Sequence, residues 1–171
     1  MEGSGSTYSQ GRISAQKALQ NLKHYCGFQE RSHLEAKQKL YSLGLFKKDV
    51  EELLSRLIDE GYLNEERYAH LFASGKLRIK GWGKQKIRYE LRKKGITTYC
   101  ITKALNELDA EEYAAGFNRQ AGKKWSLLKS EKNIFVKKNK WQQYLLQKGF
   151  EPAIIKTWSF PGKNETGLAE E

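Results

Sequence analysis

The chain has 171 residues, of which 31 are Lys or Arg and 20 are Asp or Glu, so its formal net charge is +11. This positive excess indicates an acidic partner, such as nucleic acid, an acidic protein surface or an anionic membrane. Only 39% of the residues are hydrophobic and two are proline, a composition that suits thin stacked helical repeats better than one large core.

Helix signals begin close to the N-terminus. Residues 1–12 are polar and rich in Gly and Ser, and we predict a disordered tail there. Ser14 can cap a first helix, and the capping box Ser32–Glu35 starts a second. Gly44 ends the second helix, because glycine takes the left-handed conformation of a helix C-cap without steric cost. A third helix is predicted over 47–60.

The same plan follows in the next segment. Asn64 can cap a helix, the glycines of 81–83 break the chain, and a basic helix is predicted over 84–94. Thr97 or Thr98 then caps another helix. This second group of three helices has the order of the first.

A third group begins with the capping box Asp109–Glu112. Helix boundaries within 125–140 are not defined by the pattern, Pro152 starts a short last helix, and 161–171 is predicted to be a disordered tail. No alternating strand pattern competes, so the fold class is all-α, with three tandem three-helix, helix-turn-helix-like repeats. The predicted repeats span 13–61, 62–108 and 109–160.

An internal repeat supports this division. A Leu-x-x-x-Gly-apolar motif with Val or Ile five residues later occurs three times. The spacings are 51 residues (Leu40 to Leu91) and 54 residues (Leu91 to Leu145). Such a near-constant period is typical of repeat proteins with an extended binding surface. The three copies are Leu40-Gly44-Leu45-Val50, Leu91-Gly95-Ile96-Ile101 and Leu145-Gly149-Phe150-Ile155.

Basic residues are concentrated in the second repeat. Residues 76–94 contain nine Lys or Arg and a single acid, Glu90, whereas the helix over 47–60 is net acidic. Ile87 and Leu91 define the buried face of the basic helix, so Tyr89 is expected to point away from the core. Basic residues with exposed aromatics favour a binding surface over a merely solvated face. The predicted contact residues are Lys76, Arg78, Lys80, Trp82, Lys84, Lys86, Arg88, Tyr89, Arg92 and Lys93.

Sequence-specific DNA reading and catalysis are both disfavoured. The helices in the position of a DNA-reading helix are 47–60, which is net acidic, and 98–108, whose only basic residue is Lys103. The run 81–84 lacks the spacing and the hydroxyl of a phosphate-binding loop. Neither the three His nor the two Cys residues stand at metal-ligand spacing, so we expect no catalytic residue, metal or cofactor.

Specific motifs occur at 61–69 (GYLNEERYA) and 80–96 (KGWGKQKIRYELRKKGI), and the third repeat adds 144–150 (YLLQKGF). In these motifs the chain closely resembles the RecX family of bacterial recombinase regulators, and the resemblance covers the first two repeats well. It implies that the three repeats form an elongated, curved array. The stretch 121–139 departs from the Arg-rich helix that the family usually has there.

This resemblance implies a non-catalytic modulator of the RecA recombinase. Such a protein would lie in the groove of the RecA filament on single-stranded DNA and inhibit ATP hydrolysis and strand exchange. We therefore expect a role in DNA repair, homologous recombination and the SOS response, a cytoplasmic monomer, no membrane partner and no cofactor. A non-specific basic DNA-binding protein acting on DNA directly is the alternative.

Overall fold

The computed structural model describes residues 13–161, and within them every regular element is a helix. This confirms the all-α fold class and the repetition of three-helix units. The predicted tail 1–12 lies outside the described residues. The predicted tail 161–171 lies outside them as well, except for residue 161. The helices are α1 (Ala15–Phe28), α2 (His33–Ser42), α3 (Lys47–Asp59), α4 (Glu65–Gly75), a π-helical turn (Lys76–Lys80), α5 (Lys84–Lys93), α6 (Thr98–Asn106), α7 (Ala110–Leu127), α8 (Ile134–Gln147) and α9 (Pro152–Lys156).

The described chain divides into two compact units. One contains residues 13–71 and 91–103, and the other contains 72–90 and 104–161. The first and third repeats each fall within one unit, whereas the helices of the middle repeat are divided between both. The segmentation into 13–61, 62–108 and 109–160 therefore stays a prediction about sequence repeats.

The core of the first unit forms where α1, α2 and α3 pack together. On α3 the residues at helical spacing, Val50, Leu53 and Leu57, are buried, while Glu51 and Glu52 between them are exposed. This one-sided pattern buries the apolar face and leaves the acidic face in water. The full core comprises Ala18, Leu19, Leu22, Cys26, Ala36, Leu40, Leu45, Val50, Leu53, Leu57 and Leu63.

The core of the second unit is rich in aromatic rings. Phe117 of α7 lies 5.4 Å from the ring centre of Phe150 and 6.2 Å from that of Trp158, both with edge-to-face geometry. Trp141 of α8 is 2% exposed, and its indole N–H donates to the carbonyl of Ala121 at 3.0 Å. These rings therefore build the core of this unit.

The repeated glycines perform the predicted backbone role. Gly44, Gly95 and Gly149 have φ of 80°, 74° and 87°. Each follows a helix end with left-handed backbone, which L-residues with a Cβ adopt only with strain. The leucines that open the three motifs, Leu40, Leu91 and Leu145, are all 0% exposed.

Side-chain caps fix most helix starts. Ser14 caps α1, Ser32 and Glu35 form the reciprocal capping box of α2, and the Asn64 side chain accepts an N–H in the first turn of α4 at 2.8 Å. All three were predicted from the sequence. In the third repeat, Asn133 caps α8 by accepting two backbone N–H groups, and this signal defines the boundary that the sequence pattern left open.

Candidate partner-binding surface

The basic segment is interrupted where α4 gives way to a π-helical turn and then to the break before α5. Gly81 has φ of 59° and closes the turn, because its N–H donates to the carbonyl of Leu77 at 3.0 Å. Leu77 is 1% exposed and anchors the turn in the core. Arg78 and Lys80 consequently lie on the exposed side.

The orientation of α5 agrees with the sequence pattern. Ile87 and Leu91 are 0% exposed, whereas Tyr89 is 60% exposed. Lys84 is half-buried, and its ammonium lies 4.9 Å from the ring centre of Tyr113. The aliphatic stem of Lys84 is thus covered while its charge meets an aromatic face, as expected for a lysine beside the core.

Trp82 is the aromatic centre of the predicted surface. The ammonium groups of Lys76 and Lys86 lie 5.4 Å and 5.0 Å from its ring centre. Phe72 packs at 6.5 Å from Trp82 and also receives Lys76, at 5.0 Å. Two predicted contact lysines are therefore held near one half-buried indole by cation–π contacts.

Arg78, a predicted contact residue, is already engaged in an ion pair within the protein. Its guanidinium forms a two-pronged ion pair with Glu112 of α7, one arm at 3.0 Å. Asp109 caps α7 as predicted, but the Glu112 carboxylate binds Arg78 instead of completing the second half of the predicted capping box. The hydrogen bond from Arg78 holds the pKa of Glu112 below its ordinary value.

The remaining predicted residues of α5 occupy different surroundings. The Arg88 guanidinium donates to the Gln85 side chain at 2.9 Å and is half-buried. Arg92 and Lys93, at the end of the helix, are exposed and belong to the other compact unit. The contact residues within 72–90 therefore form the coherent part of the predicted surface.

The first backbone donors of α5 are already bonded. Gly83 N–H donates to the carbonyl of Lys148 at 2.8 Å, and Gln85 N–H to that of Gly149 at 3.0 Å. The N–H of Lys84 donates to the Tyr113 hydroxyl at 3.1 Å. These donors hold the end of α8 and α7, so the Gly-Trp-Gly break is a docking point for the third repeat rather than a phosphate cradle.

The third repeat adds basic residues that sequence reasoning missed. The Lys148 ammonium donates to the carbonyl of Lys80 at 3.1 Å. Burial, followed by the charges of Lys86, Lys123 and Lys80, lowers the pKa of Lys148. The sequence shows that Lys148 directly precedes a repeat glycine, so its place at a helix end could be predicted. Its contact with Lys80 could not be predicted from spacing.

Residues 13–161 contain no group of three or more His, Cys, Asp or Glu that could hold a metal ion. No helix in this range combines the length and apolar character needed to cross a bilayer. Cys26 and Cys100 are buried free thiols, and burial raises the pKa of Cys26 to about 11, which disfavours the reactive thiolate.

These observations define an all-helical protein of three-helix repeats that presents a lysine-rich, aromatic surface. Two family models match it: the second three-helix domain of RecX over residues 64–105 and the third over residues 111–158. A regulatory protein RecX of Prosthecochloris aestuarii is 32% identical over 140 residues, which cover 82% of this chain and 89% of that protein.

Other relatives are longer than this chain. The RecX proteins of Clostridium tetani and Listeria welshimeri are 32% and 26% identical, and the matched regions cover 58% and 57% of their lengths and 72% and 91% of this chain. A crystal structure of RecX from Lactobacillus salivarius superposes with a TM-score of 0.74 at 28% identity, covering 84% of this chain and 92% of that one. A second RecX crystal structure gives a TM-score of 0.77 at 24% identity, covering 84% and 70%.

The chain belongs to the RecX family of regulatory proteins.

Proposed function

We propose that this protein regulates the RecA recombinase by lying in the groove of the filament that RecA forms on single-stranded DNA. Bound there, it inhibits ATP hydrolysis and strand exchange and performs no catalysis itself. Membership of a family of regulatory proteins supports this role. The observation that carries the proposal is the basic surface around Trp82, where Lys76 and Lys86 share one aromatic ring.

The charge distribution supports an anionic partner of this kind. The net charge is +11, and the basic residues concentrate between 76 and 94 while α3 presents acidic residues. A filament on DNA offers both phosphates and acidic protein surface. Lys and Arg near such a surface accelerate association and hold the bound state through charge-assisted hydrogen bonds.

The cellular setting follows from the same proposal. A regulator of RecA acts in homologous recombination, DNA repair and the SOS response, in the cytoplasm. We propose that it binds as a monomer, because tandem repeats already present several contact positions within one chain. No cofactor is required for a regulator that acts by binding.

The test is RecA ATPase on single-stranded DNA, titrated with variants. Replacing Arg88 and Arg92 together by Ala should weaken inhibition at least tenfold, since charge-assisted contacts to an anionic partner are lost. Ile87 and Leu91 are untouched, so the helix should stay folded, as circular dichroism can check. Lys47→Ala with Lys48→Ala, at exposed positions of α3, removes the same charge and should change inhibition much less.

Reversing the charges of Glu51 and Glu52 on α3 is a second control. It makes the protein more positive, whereas the double Arg variant is less positive than wild type. It should affect inhibition far less than the double Arg variant if the partner meets the basic surface. Wild-type inhibition by a folded double Arg variant would mean that α5 is only a solvated face.

The alternative is a basic protein that binds DNA directly, with RecA playing no part. Such a protein would bind bare and RecA-coated single strands equally and lose affinity steeply with salt. The proposed regulator should prefer RecA-coated DNA at physiological salt. Equal affinities for bare and coated strands would favour the alternative.

A further inference from the structure

Four lysines carried by different elements lie in the second unit, where the charges of three of them act on the fourth, Lys148. Lys80 follows α4, Lys86 lies on α5, Lys123 on α7 and Lys148 at the end of α8. The Lys148 ammonium is fixed against the Lys80 carbonyl at 3.1 Å. We call this group the four-lysine cluster.

Close backbone contact holds the cluster together. Gly83 N–H donates to the carbonyl of Lys148 at 2.8 Å. A Cβ on Gly149 would overlap the backbone nitrogen and Cβ of Lys86, so the end of α8 and the start of α5 touch directly. Lys86 and Lys148 are therefore brought together by the backbone itself, and their proximity does not depend on flexible side chains alone.

Aromatic and amide groups line the same region. The ring centre of Tyr144 lies 5.6 Å from the Lys148 ammonium and 5.0 Å from that of Lys124. The Tyr144 hydroxyl donates to the Gln120 side chain at 2.7 Å, and Gln120 lies against Gly81. The half-buried Tyr144 ring thus lies beside the Lys148 ammonium, as the Trp82 ring lies beside that of Lys86.

The positive charge of the cluster has no carboxylate partner within 13–161. Elsewhere in this range Lys94 pairs with Glu35 and Lys140 pairs with Glu131, both at 2.7 Å. Around Lys148, burial first and then the charges of Lys86, Lys123 and Lys80 lower its pKa. Like charges at close range cost free energy in the free protein. An anionic ligand would remove that cost.

We propose that Lys80, Lys86, Lys123 and Lys148 form a binding site for the phosphodiester backbone of a nucleic acid strand. This deepens the proposed function and rests on it, because the strand in question is the DNA of the RecA filament. Every cation of the cluster is lysine, which binds phosphate as a compact point charge. A strand also supplies closely spaced charges, about one per 3.4 Å, against several lysines at once.

The experiment measures binding of a fluorescein-labelled oligo-dT strand by anisotropy, without RecA. Lys123→Gln with Lys148→Gln should weaken binding about tenfold at 150 mM salt. The slope of log affinity against log salt should become shallower by about 1.4, since each phosphate contact on a single strand contributes about 0.7. Lys132→Gln with Lys156→Gln, exposed lysines of the same unit, is the control with equal charge loss and should change affinity less than twofold.

Thermal melting separates a binding role from a structural one. The Lys123→Gln, Lys148→Gln variant should melt close to wild type, because the loss of repulsion between lysines offsets the hydrogen bond lost at Lys148. Reduced affinity with an unchanged or raised Tm supports the site. Equal affinities for this variant and the Lys132→Gln, Lys156→Gln control would overturn it, and so would a loss of affinity explained by unfolding.

A competition assay distinguishes a nucleic acid strand from an acidic protein segment as the partner. Unlabelled oligo-dT should displace the labelled strand far better than a polyglutamate peptide of equal charge. Stronger displacement by polyglutamate would overturn the assignment to phosphate and indicate an acidic protein segment. The RecA ATPase titration is a separate readout: intact oligonucleotide binding with no inhibition by wild-type protein would defeat the proposed regulation while leaving the site standing.

Discussion

At two helix junctions, the glycine that follows one helix lies beside the start of another helix. The charged side chains around these two junctions differ. In the first junction, within one unit, the end of α5 at Gly95 lies beside the start of α2, and Lys94 pairs with Glu35 at 2.7 Å. In the second, within the other unit, the end of α8 at Gly149 meets the start of α5 and brings Lys148 among other lysines. The same pairing of helix ends can therefore be neutralised in one copy and left positively charged in another.

The two junctions also differ in how closely the two helices approach each other. A Cβ on Gly95 would have its nearest neighbour, the Leu34 Cβ, at 3.9 Å, which is ordinary van der Waals contact. At Gly149 the Cβ of any other residue would overlap the backbone of Lys86. The second junction is thus set by direct backbone hydrogen bonds, and the first by side chains.

The largest expected effect tests this difference in approach. Gly149→Ala should lower the free energy of unfolding by about 3 kcal/mol, because left-handed backbone strain adds to overlap with Lys86. Gly95→Ala should lose about 1 kcal/mol, from backbone strain alone. Urea denaturation of both variants provides the measurement. Equal losses would mean that the close approach at the second junction has no energetic consequence.

The next effect concerns the hydroxyl that ties α7 to the second junction. Tyr113 is 7% exposed, accepts the N–H of Lys84 at 3.1 Å and donates to Glu151. Tyr113→Phe leaves both partners without their bond and should cost about 2 kcal/mol in urea denaturation. Tyr99→Phe, at a position 70% exposed, is the matched control. If Tyr113→Phe loses no more stability than the control, the Tyr113 hydroxyl does not stabilise the junction.

A smaller effect, dependent on pH, is expected at the first junction. Burial would raise the pKa of Glu35, but hydrogen bonds from Lys94 and Ser32 outweigh it and hold the pKa below the ordinary 4.5. The resulting stability is present above pH 4.5 and is lost as the pH falls through the lower, folded-state pKa.

Glu35→Gln should therefore cost about 1 kcal/mol at pH 7, and the difference from wild type should shrink as the solution is acidified through this range. Chemical denaturation at several pH values measures it, with the exposed Glu52→Gln as control. A difference between Glu35→Gln and wild type that stays constant from pH 7 to pH 3 would contradict the ion pair.

The smallest expected effect is the removal of a lysine from each junction. Lys94→Gln breaks an ion pair and should cost about 1 kcal/mol, whereas Lys148→Gln should stay within about 0.5 kcal/mol of wild type. The Lys148 variant loses one hydrogen bond to a carbonyl but also loses repulsion from neighbouring lysines. Denaturation curves of both variants, measured in parallel, give their free energies of unfolding. A larger loss of stability for Lys148→Gln than for Lys94→Gln would contradict the proposed difference between the junctions.

Much of the fold follows from the sequence because its signals are local. Ser32 and Glu35 are three residues apart and cap one helix end, and Gly44, Gly95 and Gly149 recur in left-handed positions. Apolar spacing on α5 placed Ile87 in the core and Tyr89 outside. Each of these depends on one turn of helix or on a repeated motif, so the neighbouring residues alone suffice to predict it.

Tertiary packing alone decided which charges meet. Glu112 has the spacing of a capping box, yet its carboxylate binds Arg78, 34 residues earlier in the chain. Lys80 and Lys148 are 68 residues apart, and their contact exists because α8 ends on the backbone of α5. Helix periodicity gives the face on which a charge lies. The partner that reaches that face depends on how separate helices pack, and no local pattern carries that information.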